Sequence, residues 1–170
     1  MGLFTNMEFN SLDDLFLAQL QDLYDAEKRL TAALPKMEAA ASSPALRAAF
    51  RDHLRETEHQ VERLEQVFEM LGCEAKRETC PAMKGLIAEG EEMVQAKGDP
   101  AVKDAALIAA AQRVEHYEIA GYGTVRTFAE RLGHHEIAQL LQETLDEEGN
   151  TNKRLTALAE QGINVSASQA

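Results

Sequence analysis

Three glutamates interrupt helical stripes of apolar residues, where a carboxylate is out of place. Glu27 falls on a stripe that begins at Leu12 and repeats every three or four residues. Glu115 and Glu118 fall on a second stripe that begins at Ile108. Leaving such carboxylates unpaired in a core would cost on the order of several kcal/mol each. The pattern therefore predicts that a bound cation compensates them.

A Glu-x-x-His pair supplies further ligand types one helical turn apart. Glu56 and His59 form this pair, and similar pairs hold metal ions in di-metal helical bundles. Glu27 and Glu56 are 29 residues apart, as are Glu118 and Glu147, so both pairs fold back about hairpin turns to similar depths. A shift of 91 residues places HLRETEHQVERL over TLDEEGNTNKRL. The chain thus contains a weak internal repeat of two hairpins.

The repeat fails at the histidine, because the position that matches His59 is Asn150, a poor ligand for a hard metal ion. In an antiparallel hairpin of the last two helices, Glu115 lies level with position 150, and we expect it to reach the metal instead. Glu143 and Asp146 are alternatives on the last helix, with Glu143 ranked first. The predicted ligands of two iron ions, or of manganese, are Glu27, Glu56, His59, Glu115, Glu118, Glu143 and Glu147.

Neighbouring aromatic and imidazole side chains are assigned other roles. Tyr24 and Tyr122 lie near Glu27 and Glu118 along their helices, within reach of a hydrogen bond to a ligand, but packing is the preferred interpretation. The remaining histidines fall off the stripes or in a turn and are placed outside the site: His53, His116, His134 and His135.

Four long helices are predicted to position these side chains. Caps, prolines and glycines give their bounds as Ser11 to Met37, Pro44 to Gly72, Asp99 to Gly133, and a last helix that ends near Gly162. Residues 81–96 predict a short helix within the long connection before Asp99. Two short-looped hairpins joined by one long connection are typical of the ferritin-like four-helix bundle. We expect one all-α domain over residues 1–170, with a bundle over about 11–161 and flexible ends.

The amino-acid composition argues against some classes of binding partner. The 170 residues carry a formal net charge of -12 and no tryptophan, which favours an acidic helical protein over one that binds nucleic acid or membranes. The start lacks the basic and apolar regions of a signal peptide, so a cytoplasmic location is expected. Cys73 and Cys80 are too few and too badly spaced for a disulfide framework or a zinc ribbon.

Several segments, among them LYDAEKRLTAALPKM and VEHYEIAGYGT, resemble the YciF family of bacterial stress-response proteins over about residues 11–161. The resemblance implies a rubrerythrin-related, ferritin-like bundle, usually dimeric, with a dinuclear metal site. The resemblance implies ligand roles for the seven predicted residues but supplies no substrate. The chain departs from the ferritin-like ligand motif in one respect, because its last helix lacks the expected histidine.

Two classes of function follow. The first is a diiron oxidoreductase that reduces peroxide or dioxygen, or a metal-handling protein. It would need a separate electron donor, because the chain has no Cys-x-x-Cys pair for a rubredoxin-type centre. The second is a non-enzymatic structural stress protein or dimeric assembly module whose metal site is stabilising or vestigial.

Overall fold

The computed structural model describes residues 8–170, and all regular secondary structure among them is helical. Its elements in chain order are α1 (Leu12–Ala40), α2 (Pro44–Met70), α3 (Pro81–Gln95), α4 (Pro100–Arg131), α5 (His135–Leu158), a π-helical segment (Ala159–Ile163) and α6 (Asn164–Ala167). The predicted flexible start of the chain lies, for residues 1–7, outside the described residues. The last helix extends beyond its predicted end near Gly162, because α5 continues through the π-helical segment into α6.

Side-chain caps and left-handed glycines set the helix bounds. The Ser11 hydroxyl accepts a hydrogen bond from the Asp14 amide at 3.0 Å, and the Asp99 carboxylate accepts one from the Ala101 amide at 2.8 Å. Gly72 and Gly133 have φ values of 70° and 82° just after α2 and α4. Glycine adopts this conformation without steric strain, so α2 ends where the long connection begins and α4 ends at the short turn before α5.

The four long helices form two antiparallel hairpins, α1 with α2 and α4 with α5. The hairpins pack with α2 against α5 and α1 against α4, and the long connection carries α3 across α1 and α4. This is the ferritin-like topology predicted from the sequence, with α3 as the short fifth helix in the crossover.

Two apolar clusters fill the bundle, one towards each end. One contains Leu34 and Leu155, and the other contains Leu20 and Leu141. Along each long helix the two clusters meet near the middle, at the level of the buried polar side chains. The bundle therefore has an apolar, a polar and a second apolar layer along its axis.

The crossover is fixed to α1 by Asp25, whose side chain is buried. Its carboxylate accepts hydrogen bonds from Arg29 at 2.6 Å, from Arg77 at 3.0 Å and from the Cys80 backbone amide at 2.9 Å. Burial alone would raise the pKa of Asp25, but these hydrogen bonds outweigh it and lower the pKa. The charged form of Asp25 thus holds the segment before α3 in place.

Candidate metal centre

The polar layer is built on buried stripes of α2 and α5 that pass one position beside the ligands expected on these helices. The buried stripe of α2 passes through Phe50, His53, Thr57 and Gln60. The buried stripe of α5 reaches the polar layer at Glu148 rather than at Glu147. Because neighbouring residues on a helix point about 100° apart, a change of one position exchanges a buried side chain for a flanking one.

Four of these buried side chains converge on one point. One ligand atom each from His53, Glu115, Glu118 and Glu148 lies within 4.8 Å of the other three. His53 Nε2 is 3.2 Å from Glu115 Oε1, close enough for an ion pair, although neither ring nitrogen has a partner in hydrogen-bonding orientation within residues 8–170. Three helices, α2, α4 and α5, supply this group.

Glu27 adds a fourth carboxylate to the polar layer from α1, and it is fully buried. The Tyr122 hydroxyl donates a hydrogen bond to Glu27 Oε1 at 2.5 Å, while Glu27 Oε2 has no hydrogen-bond partner in the described part of the chain. Tyr122 therefore holds a candidate ligand in position, the role that the sequence left as the less favoured alternative for this residue.

The buried carboxylates shift one another's pKa values. Burial, followed by the charges of Glu27 and Glu148, raises the pKa of Glu118 well above its ordinary value. Burial and the charge of Glu115 do the same for Glu148. Burial, the largest single influence, would by itself lower the pKa of His53, but the neighbouring carboxylates Glu115, Glu56 and Glu148 together outweigh it and raise the pKa well above its ordinary value. Without a cation, these groups therefore keep their protons to higher pH than they would in water.

Unpartnered oxygen atoms test whether a metal fits here. Both carboxylate oxygens of Glu118 and of Glu148, and Oε2 of Glu115, are buried without a hydrogen-bond partner among the described residues. Such groups are normally satisfied, and leaving them unsatisfied costs on the order of several kcal/mol. Carboxylates with one imidazole are the donor set that iron and manganese accept. The residues present therefore fit a divalent transition metal.

The structure distributes the seven predicted ligands over three environments. Glu27, Glu115 and Glu118 lie in the buried polar layer. Glu56 and Glu147 are half-buried on its flank. His59 and Glu143 are exposed and face away from the layer, because the true α2 and α5 stripes leave both positions on the outside.

The flanking carboxylates have protein partners instead. Glu147 receives hydrogen bonds from Arg63 at 2.9 and 3.0 Å and from Gln60 at 3.0 Å. Glu56 accepts one from Thr151 at 3.2 Å and lies 3.9 Å from His53 Nδ1. Glu56 is thus placed to orient His53 rather than to join the four converging side chains.

Sequence reasoning left out His53 and Glu148. A usable signal was present, since Leu46, Phe50, His53, Thr57 and Gln60 follow the three-and-four spacing of a buried stripe. The expected ligands Glu56 and His59 each lie one position before a residue of this stripe. The Glu-x-x-His pair beside the stripe therefore drew the prediction one position away from it.

The internal repeat is visible in the packing as an approximate two-fold relation between the hairpins. The 91-residue shift maps the Gln60–Glu147 hydrogen bond onto the one between Thr151 and Glu56. It also maps the Arg63–Glu143 contact, 3.6 Å, onto the contact that joins Arg154 to Asp52, 2.9 Å. Corresponding residues of the two hairpins thus occupy corresponding places around the polar layer.

A bundle of two such hairpins, with carboxylates and a histidine buried at its centre, defines a ferritin-like helical protein. The chain belongs to the DUF892 family, described as a domain of unknown function, whose profile matches residues 11–168. Protein YciF of Escherichia coli strain K12 is 49% identical over 162 residues, which cover 95% of this chain and 98% of YciF. The resemblance to the YciF family drawn from the sequence is confirmed.

Solved structures agree with this assignment. The crystal structure of the E. coli stress protein YciF covers 92% of this chain and 99% of its own, with a TM-score of 0.88. YcfI from Rhodopseudomonas palustris, provisionally described as a structural protein, is 44% identical, with a TM-score of 0.86, and the match covers 90% and 98% of the two chains. A Xanthomonas campestris protein at 22% identity and a TM-score of 0.72, over 94% and 99%, shares the fold.

None of the helices in residues 8–170 has the length and apolar character needed to cross a bilayer.

Proposed function

We propose that this chain is a stress-response protein that binds two divalent metal ions, iron or manganese, in the polar layer of its bundle. The observation that carries the proposal is the convergence of His53, Glu115, Glu118 and Glu148, whose ligand atoms lie within 4.8 Å of one another. These side chains are buried, and most of their oxygens have no hydrogen-bond partner within the described chain. Preorganised, unpartnered ligands favour a metal site over a solvated charge cluster.

The charge of the layer supports two ions rather than one. Glu27, Glu115, Glu118 and Glu148 are all buried and carry four negative charges when ionised. Two divalent cations neutralise them, whereas one would leave two charges uncompensated in a medium of low dielectric constant. The apolar clusters on both sides exclude water, which strengthens each ligand interaction.

Bound iron or manganese would supply redox chemistry towards peroxide or dioxygen. The chain's own residues hold the ligands in place, since Tyr122 donates to Glu27 and Glu56 lies beside His53. A separate electron donor and a homodimer, expected from the sequence, remain predictions.

A second candidate is a metal-free structural bundle, and the raised pKa values of Glu118 and Glu148 favour it. Protonated carboxyls and the ion pair of His53 with Glu115 could hold the layer without metal. The description of the relative YcfI as a structural protein is in line with this alternative. Metal content distinguishes the two candidates.

The test is elemental analysis of protein purified without chelators, before and after incubation with excess Fe(II) or Mn(II). We expect at least one ion per purified chain and about two after incubation. Glu148→Gln and His53→Gln should lose metal, since each removes a converging ligand. If the wild-type protein stays metal-free after incubation, the result would favour the metal-free structural bundle.

Neighbouring residues provide matched controls for these variants. Glu147→Gln changes the adjacent carboxylate, which is paired with Arg63, and His59→Gln changes an exposed histidine. Both should retain the metal content of the wild type. Equal loss in the variants and their controls would point to general destabilisation instead of ligand removal. Peroxide consumption is then measured on the metal-loaded wild type and on Glu148→Gln.

A further inference from the structure

The two-fold relation between the hairpins divides the polar layer into two unequal halves. The 91-residue shift maps Glu27 onto Glu118, Thr57 onto Glu148 and Gln60 onto Thr151. We call Glu118 and Glu148, together with Glu115 and His53, the primary half-site. We call Glu27, Thr57 and Gln60 the secondary half-site.

The halves differ in charge and in ligand strength. The primary half-site has three carboxylates and an imidazole. The secondary half-site has one carboxylate, one hydroxyl and one amide. At the two positions equivalent to Glu115 and His53 it has Tyr24 and Thr144, and the Tyr24 hydroxyl is engaged with Glu65 at 2.6 Å, away from the layer. Affinity for hard cations rises with the number of charged ligands.

The secondary half-site nevertheless contains buried oxygen atoms that could bind a ligand. The Thr57 hydroxyl, Gln60 Oε1 and Glu27 Oε2 are buried without a hydrogen-bond partner in residues 8–170, and each residue is no more than 1% exposed. The other polar atom of two of these side chains is used, since Gln60 Nε2 donates to Glu147 and Tyr122 donates to Glu27 Oε1. Three buried oxygen acceptors are thus left over at positions that the two-fold relation assigns to one half of the layer.

We propose that the primary half-site holds one divalent ion tightly and the secondary half-site holds a second, exchangeable ion. With so few strong protein ligands, the second ion keeps coordination positions for water or another small oxygen donor. This inference rests on the proposed metal binding, and it adds which ion is labile and which half of the centre keeps positions for an external ligand.

The test is equilibrium dialysis of chelator-stripped protein against increasing free Mn(II), with bound ions counted by elemental analysis. Wild type should bind two ions in two steps whose dissociation constants differ on the order of 100-fold. Thr57→Glu supplies the carboxylate that Glu148 gives the other half, so the second step should tighten at least tenfold towards the first. Thr57→Val removes the hydroxyl at nearly constant volume and should weaken the second step alone.

His59→Glu is the matched control, because it adds the same charge two residues away on the exposed face of α2. It should leave both steps unchanged. Circular dichroism establishes that each variant folds, and if Thr57→Glu does not fold without metal, Thr57→Val decides. The inference would be overturned by two equal steps in the wild type, or by steps that neither Thr57 variant changes. A single ion at saturating Mn(II) would overturn it as well, together with the second ion of the proposed function. Binding of no ion at all would overturn the proposed function itself.

Discussion

Removing the charge of Glu27 should change how the stability of the metal-free protein depends on pH. Burial raises the pKa of this carboxyl from 4.5 to about 7, against the hydrogen bond from Tyr122 and the charge of His53. The folded state therefore retains a proton that the unfolded chain releases between these two values. The contribution is fully present below about pH 4.5 and is lost as the pH rises through about 7.

The size of the effect follows from the two pKa values. Their difference corresponds to about 3 kcal/mol of unfolding free energy, of which about 2.5 kcal/mol falls between about pH 5 and pH 8. Glu27→Gln keeps the shape of the side chain and an acceptor for Tyr122 but cannot ionise. The free energy of unfolding should therefore decline less steeply with pH in the variant, by about that amount. The raised pKa values of Glu118 and Glu148 add a decline of the same sign that the variant retains.

The assay is urea unfolding of chelator-stripped protein followed by far-ultraviolet circular dichroism, since the chain has no tryptophan. Glu62→Gln, which removes an exposed carboxylate from α2, is the control and should keep the wild-type slope. Parallel curves for wild type and Glu27→Gln would refute the reasoning, because they would mean that Glu27 does not titrate differently in the folded state. Saturating Mn(II) should flatten the wild-type curve, since bound ions replace the protons.

Three further predictions concern positions outside the candidate ligands. Gly121→Ala should destabilise the protein by about 1 to 2 kcal/mol, because the added methyl group would lie 2.7 Å from Leu23 Cδ2. Gly123→Ala has open space around it and should be neutral or stabilising by up to about 1 kcal/mol. The urea midpoints of the two variants provide the comparison. Asp25→Asn should cost about 2 kcal/mol near neutral pH, and the deficit should vanish only in acid below the lowered pKa of Asp25, where the wild type also loses this charge. Tyr122→Phe should cost about 2 kcal/mol at about pH 8, and a wild-type melting temperature would contradict its assigned hydrogen bond.

Much of the fold could be predicted because its signals are local. Ser11, Asp99 and Gly133 mark helix ends by backbone chemistry that hardly depends on the rest of the protein. The length of the connection before α4 sufficed to distinguish the ferritin-like topology from a simple up-and-down bundle. The helix at Asn164–Ala167 was missed, because its polar sequence has no apolar stripe and it forms as a continuation of the preceding helix.

The candidate site was harder to predict because it depends on rotation about each helix axis. Glu27, Glu115 and Glu118 could be found, since apolar residues flank them on both sides of the same stripe. On α5, Glu147 and Glu148 are adjacent, and only packing against α2 decides which one turns inward. The nearby Arg63 resolves the choice by pairing with Glu147 on the outside, a contact between residues far apart in sequence.

The two-fold relation between the hairpins also has a consequence for how such a centre can change during evolution. In a bundle assembled from two identical hairpin subunits, every substitution would appear twice, and both metals would always have the same ligands. Here both hairpins belong to one polypeptide, so His53 can differ from its counterpart Thr144, and Glu148 from Thr57. Covalent continuity through the crossover thus allows each half of the centre to specialise while the shared packing is preserved.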